Sequence, residues 1–251
     1  MKISPCIDTI YKGADLKTAL TEIRACGFNG FEFWSVNNWD MGAMQEYREE
    51  LGLEIANFNN EIISLADAKE RTRFLQELEK TVTYAKKLGC SHITVLSGDD
   101  TGEPRSVQRQ SIIDGLKEAA KVVEPEHITV VLEASNRRVN RPDNYLTSAD
   151  EAFEIIGEVG SENVKMLYDI YHQQISEGDL LVRILPNIDK IGHFHAAGVP
   201  GRHELHLCEI NYDYVLRQIA AAGYGGWIGL EYFPSLSTEE SLRGVAKYLD
   251  L

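Results

Sequence analysis

The stretch AKERTRFLQELEKTVTYAKKLGCSHITVL, residues 68–96, contains one complete unit of the fold. Phe74, Leu75, Leu78, Val82, Ala85 and Leu88 recur at three- and four-residue spacing with charged residues between them, the apolar stripe of an amphipathic helix. Gly89 follows Leu88 as a helix C-cap, and His92 to Leu96 reads as a β-type run a few residues later. The same order of helix, glycine and strand recurs at Cys26-Gly27, Leu51-Gly52 and Ala222-Gly223. Working outward, β-type runs lie at Lys2 to Ile7, Gly30 to Trp34, Glu54 to Phe58, Ile128 to Glu133, Val164 to Asp169, Lys190 to His195 and Trp227 to Glu231. Helical spacing covers Asp15 to Ala25, Ala68 to Leu88, Ser106 to Val123, Ser148 to Val159, Tyr212 to Ala222 and Glu239 to Leu249. Strict alternation makes the sheet parallel, because each helix returns the chain to start the next strand in the same direction. Eight units of roughly 30 residues close into a (β/α)8 TIM barrel, and 251 residues is the length of one such barrel. No G-x-G-x-x-G turn follows the first strand, so a doubly wound dinucleotide-binding sheet loses its main support. There is no linker, low-complexity stretch or composition shift, and a single domain over residues 1–251 is expected.

The formal charge of −14, from 39 acidic and 25 basic residues, repels phosphate backbones, and no Lys/Arg run offsets it. The densest basic pieces, Asn136-Arg137-Arg138 with Arg141 and the pair Lys86-Lys87, read as loop and helix-surface charge. No nucleic-acid partner is therefore expected. No run of 18 apolar residues occurs, so no membrane partner is expected either. Cys6, Cys26, Cys90 and Cys208 are widely spaced without a C-x-x-C and read as buried thiols. The opening Met-Lys-Ile-Ser-Pro-Cys-Ile-Asp has no long apolar stretch of a signal peptide, and a reducing, cytoplasmic setting is expected.

In a (β/α)8 barrel the active site lies at the C-terminal ends of the strands. Strands five to eight end in Glu133, Asp169, His195 and Glu231, spaced 36, 26 and 36 residues apart, each near one βα unit. Strand parity allows all four to point into the barrel mouth. Any one of them alone would pass as a helix cap or a solvated loop acid. Three carboxylates and an imidazole converging in a low-dielectric mouth repel one another unless a cation joins them. Three oxygens and one nitrogen suit Mn²⁺, Mg²⁺ or Co²⁺, with Zn²⁺ also admissible. Glu32 has inward parity on strand two, and His193 lies one layer below His195. Trp34 and Phe58, near the ends of strands two and three, are candidates to wall the pocket. His203, Glu204 and His206 are candidates for a lid contact.

At these residues the chain resembles the xylose isomerase-like TIM barrel superfamily, also described as AP endonuclease family 2, and within it the hydroxypyruvate isomerase family. The resemblance is carried by Leu132-Glu133, Tyr168-Asp169-Ile170-Tyr171-His172-Gln173, Gly192-His193-Phe194-His195, Val199-Pro200-Gly201-Arg202-His203-Glu204, Glu209-Ile210-Asn211-Tyr212 and Leu230-Glu231. It implies that Glu133, Asp169, His195 and Glu231 ligate the metal, that Glu133 and Glu231 are also the catalytic acid/base pair, and that His172 and Arg202 hold substrate oxygens. The implied reaction is isomerisation of a small sugar or hydroxy-keto acid. A divalent ion polarises the carbonyl and its neighbouring hydroxyl, and two glutamates move the proton through a cis-enediolate. Two departures bear on the substrate. Hydroxypyruvate isomerases tend to carry Gln where this chain has His195, whereas ketose 3-epimerases carry His, and Leu205-His206-Leu207-Cys208 stands where the family runs through Pro and Gly. A ketose 3-epimerase, a 2-oxo-tetronate isomerase and a keto-sugar lyase are thus alternatives on the same site. An apurinic endonuclease would need further histidines from strands two to four, and His92 begins its strand rather than ending it. Dimers and tetramers are common among such proteins, so a homo-oligomer is an open expectation.

Overall fold

The glycine after residue 88 does what its position suggests: Gly89 takes φ 66°, a left-handed backbone that an L side chain rarely adopts, and ends the preceding helix. A computed structural model describes residues 1–249. The order is β1 (Lys2–Pro5), α1 (Ile7–Ile10), α2 (Leu16–Ala25), β2 (Gly30–Phe33), α3 (Met41–Leu51), β3 (Glu54–Asn59), α4 (Arg71–Leu88), β4 (His92–Leu96), α5 (Arg105–Val123), β5 (Thr129–Glu133), α6 (Ala149–Val159), β6 (Val164–Asp169), α7 (Ile170–Ser176), α8 (Leu180–Ile184), β7 (Ile191–Ala196), α9 (Tyr212–Ala221), β8 (Trp227–Leu230) and α10 (Thr238–Val245). Helix starts follow side-chain capping: Asp15, Asp40, Ser148, Asn211 and Ser237 each accept a backbone N–H of the first turn, and Ser237 forms a reciprocal capping box with Glu240.

All seven strand pairings, from β1–β8 round to β2–β3, are parallel, and a parallel bridge from Cys6 to Glu32 joins the two ends of the sheet. The sheet is thus a (β/α)8 barrel with its helices outside. Buried apolar residues of strands and helices fill the layer between them, as where Phe33 and Phe58 stack with ring centroids 5.0 Å apart. Phe58 therefore does not wall the pocket: with alternate side chains facing opposite ways, Asn57 and Asn59 share the inward face and Phe58 faces the helices. The barrel interior carries a buried polar layer of Ser4, Glu32, Asn57, Thr94 and His193.

Strand pairing sets the relative heights of the site residues. Asp169 lies opposite His195, and His195 opposite Gly229, while Glu133 pairs with Leu167. Glu231 falls one residue past β8, yet its N–H still donates to the Ala196 carbonyl at 3.1 Å and extends the ladder. Among the described residues no helix is long and apolar enough to cross a membrane. All four cysteines are free, three of them buried.

Candidate active site

The mouth of the barrel opens into a cavity of about 420 Å³ whose lining includes Trp34, Glu133, His172, Arg202 and Glu231. Asp169 and His195 are buried, at 1% and 3% exposure, and are not part of that lining. One potential ligand atom from each of Glu133, Asp169, His195 and Glu231 lies within 4.8 Å of all the others. The four residues expected from the strand ends are thus brought together. Buried donors there have unmet bonding capacity: Asp169 Oδ2 and both ring nitrogens of His195 have no hydrogen-bond partner. Three carboxylate oxygens and an imidazole nitrogen, with buried lone pairs unspent, fit a divalent cation.

Each residue is positioned by its own neighbours. Asp169 ends β6 and caps α7, its Oδ1 accepting the His172 N–H at 3.1 Å, which leaves Oδ2 for the cluster. His172 accepts on Nδ1 from the backbone N–H of Asn136 at 3.1 Å and from the Asn136 amide at 2.6 Å. Its proton is therefore on Nε2, which faces Glu133 and Asp169 at 3.7 and 3.6 Å. Burial holds this imidazole below its ordinary pKa, so at neutral pH it is an uncharged Nε2–H donor.

His195 sits between two carboxylates, Nδ1 3.1 Å from Glu231 and Nε2 3.1 Å from Glu32, although neither pair has hydrogen-bonding angles. Burial opposes its charged form, but Glu231 and Glu32 outweigh that and raise its pKa well above the ordinary value. Glu32 lies at 2% exposure beneath it, accepting from Ser4 Oγ at 2.9 Å and lying 3.0 Å from His193 Nε2. Gly229 makes room for it, since a Cβ there would lie 2.2 Å from Glu32 Oε1. Glu32 and His193 thus belong to the layer supporting His195.

The two glutamates differ sharply. Glu231 accepts from Trp34 Nε1 at 2.5 Å and from Arg202 Nη2, while Arg202 Nε donates to its carbonyl at 3.1 Å. Burial resists its ionisation, but Arg202 and His195 overcome this and hold it far below the usual carboxylate range. Glu133 has no such donor, and burial together with the charge of Glu231 carries its pKa up to about 8. Arg202 itself takes φ 60°, held by its N–H to the Gly198 carbonyl and by the Phe233 N–H to its own carbonyl, each 2.8 Å. Its guanidinium lies over Tyr171, 5.1 Å from the ring centroid.

Asn38, Asn59, Asn60, Glu61 and Asn140 line the cavity without having stood out in the sequence, and Arg141, expected to be surface loop charge, lines it too. Asp8 was also missed; it accepts the Trp34 N–H at 2.6 Å and Asn38 Nδ2 at 2.8 Å, and so fixes the loop after β2. Asp8 lies in α1, just past β1, where the pattern of strand ends does not point to it. Of the lid candidates, Glu204 is fully buried and His203 Nδ1 donates to the Phe233 carbonyl at 2.8 Å, so both tie loops together.

A parallel (β/α)8 barrel whose strand ends gather three carboxylates and a histidine beneath an open cavity defines a class of barrels with a side-chain cluster that could hold a metal ion at that end. The chain belongs to the xylose isomerase-like TIM barrel family, whose sequence pattern matches residues 20–249. It is 30% identical over 258 residues to hydroxypyruvate isomerase of Escherichia coli (strain K12), covering 99% of each chain. With 2-oxo-tetronate isomerase of Cupriavidus necator it shares 35% identity over 177 residues, covering 70% of this chain and 68% of that one. Among solved structures, that of AP endonuclease, family 2 from Brucella melitensis superposes with a TM-score of 0.94 at 28% identity over 99% of both chains.

Proposed function

We propose that this protein is a divalent-metal-dependent isomerase of small hydroxy-keto acids, of the hydroxypyruvate isomerase and 2-oxo-tetronate isomerase type. The observation that carries the reading is the pair Glu133 and Glu231, both lining one cavity and gathered with Asp169 and His195 into one cluster, Glu231 accepting from Trp34 and Arg202 while Glu133 has no such donor. The names of the relatives support the substrate class. Glu133, Asp169, His195 and Glu231 would hold the ion, which when bound supplies Lewis-acid polarisation of the substrate's carbonyl and neighbouring hydroxyl. Mn²⁺, Mg²⁺ or Co²⁺ suits the donor set best.

The chain's own groups then divide the work. Glu231, kept ionised by Arg202, takes the proton from the carbon next to the carbonyl. Glu133, on the wall of the same cavity, takes the proton of the substrate hydroxyl that becomes the new carbonyl and returns it to the neighbouring carbon. Nε2–H of His172 donates to the developing alkoxide, and Arg202 holds Glu231 and a substrate oxygen in register. An epimerase outcome needs the same two bases, and His195 in place of the Gln usual in hydroxypyruvate isomerases favours it as a second reading.

Incubating the Mn²⁺-loaded protein with hydroxypyruvate or a 2-oxo-tetronate in deuterated water tests the proposal. Wild type exchanges the carbon-bound proton and forms the isomer, and Glu133→Gln or Glu231→Gln slows exchange by at least about a hundredfold. Exchange at the wild-type rate in both variants would sink the assignment.

A further inference from the structure

Two arginines line the cavity, and they stand in opposite situations. Arg202 is committed to Glu231 and lies over Tyr171. Arg141, half-buried, has no hydrogen bond or ion pair from its guanidinium to any described residue, in a chain with 39 acidic side chains. An unpaired guanidinium on the wall of a cavity that Glu61, Glu133 and Glu231 also line is a fork with five donors and no acceptor.

The loop that presents it is built rather than slack. The Arg141 N–H donates to the Asn136 carbonyl and its carbonyl accepts the Asn144 N–H, both at 3.1 Å, and Asn136 and Asn144 are fully buried. Asn136 Oδ1 accepts the Val139 N–H at 2.9 Å, and Asn144 Nδ2 donates to the Leu146 carbonyl at 2.5 Å. Through Asn136 the same loop fixes His172. Asn140, next along the wall, spends its Oδ1 on Tyr171 and Asn136, at 3.0 and 2.9 Å, and has its amide N–H groups left to donate.

We infer that Arg141 and Asn140 form an anion subsite for the substrate's terminal carboxylate, and that this subsite selects hydroxy-keto acids over neutral ketoses. The inference rests on the isomerase reading above for the orientation of the substrate's other end, toward Glu133 and Glu231. One guanidinium and one amide match a monoanionic carboxylate. A dianionic phosphate calls for more donors and meets the glutamates of the same cavity.

The test is titration calorimetry on the Mn²⁺-loaded protein with hydroxypyruvate, with dihydroxyacetone as its neutral counterpart and with dihydroxyacetone phosphate, for wild type and Arg141→Met, with turnover read in parallel. Arg141→Met is expected to weaken hydroxypyruvate binding about tenfold to a hundredfold and to raise its KM more than it lowers kcat. Dihydroxyacetone binding is expected to move by no more than about twofold, with thermal stability retained. Equal losses for acid and ketose, or no loss for the acid, overturn the inference. So does wild type binding the acid no better than the ketose, or phosphate losing more affinity than carboxylate in the variant. Wild type that binds the acid through Arg141 but does not turn it over upholds the subsite and refutes the isomerase reading.

Discussion

Glu133 and Glu231 are one residue type at equivalent ends of two strands, and their surroundings drive their protons in opposite directions. Glu231 is crowded by Arg202, His195 and Trp34, whereas Glu133 faces burial and a neighbouring negative charge with no donor of its own. His195, between two carboxylates, is held protonated as well. A cation ligated by Glu133 and by His195 Nδ1 must displace both protons, so metal affinity falls as pH drops below about 8. At pH 6.5, calorimetry in buffers of different ionisation enthalpy should find about two protons released per ion, and about one in Glu133→Gln. Zero released in wild type would refute the assigned ligands. The convergence of these four side chains was legible in the sequence because strand ends and parity are local properties of a pattern. Arg141, Asn140 and Asp8 were not, because their nearness to the site comes from loops and from the first strand meeting the second, which no spacing encodes.

At the scale of elements, the loop between β7 and α9 carries Arg202, and Glu204 anchors it to the segment after β8. Its carboxylate accepts from the Ser235 N–H at 2.8 Å, Ser235 Oγ at 2.7 Å, Ser241 Oγ at 3.0 Å and the Leu236 N–H at 3.1 Å. Burial opposes the charge, but these donors outweigh it and lower the pKa to about 2. A depressed carboxylate stabilises the fold above its ordinary value of 4.5, and that contribution is lost as pH falls toward about 2. Glu204→Ala should cost about 2–4 kcal/mol at pH 7, since it orphans several donors at once. Urea denaturation checks this, and a deficit as large at pH 2 as at pH 7 would count against the carboxylate as the cause. Strand positions were legible to within a residue or two, as Val164–Asp169 and His92–Leu96 illustrate. α3 was harder to read, because Met44 alone on it is fully buried while Met41, Tyr47 and Leu51 pack against the core half-buried, and α7 starts directly on Asp169 within a continuous Tyr-Asp-Ile-Tyr run.

At the scale of the whole molecule, the four clustered residues come from β5, β6, β7 and the end of β8, so one cation there would join four consecutive staves of the barrel. The four side chains come together only in the folded chain, and an ion bound among them would stabilise that state by mass action. At an ion concentration 100 times its Kd the gain is about 2.7 kcal/mol. For a chain of 251 residues this corresponds to a rise in Tm of about 5–10 °C over the chelator-treated protein. The competing account is that Arg202 and His195 already neutralise the acids, with Arg202 Nη2 on Glu231 and 3.7 Å from Asp169 Oδ2. In that case Mn²⁺ changes Tm little. Scanning calorimetry of wild type and Asp169→Asn, with Mn²⁺ and with chelator, separates the two. The metal account requires a shift in wild type that the variant largely loses, because Asp169 Oδ2 is the oxygen of the cluster that is buried without a hydrogen bond. A shift of equal size in both would move the ion elsewhere, and no shift in either would leave Arg202 as the resident cation.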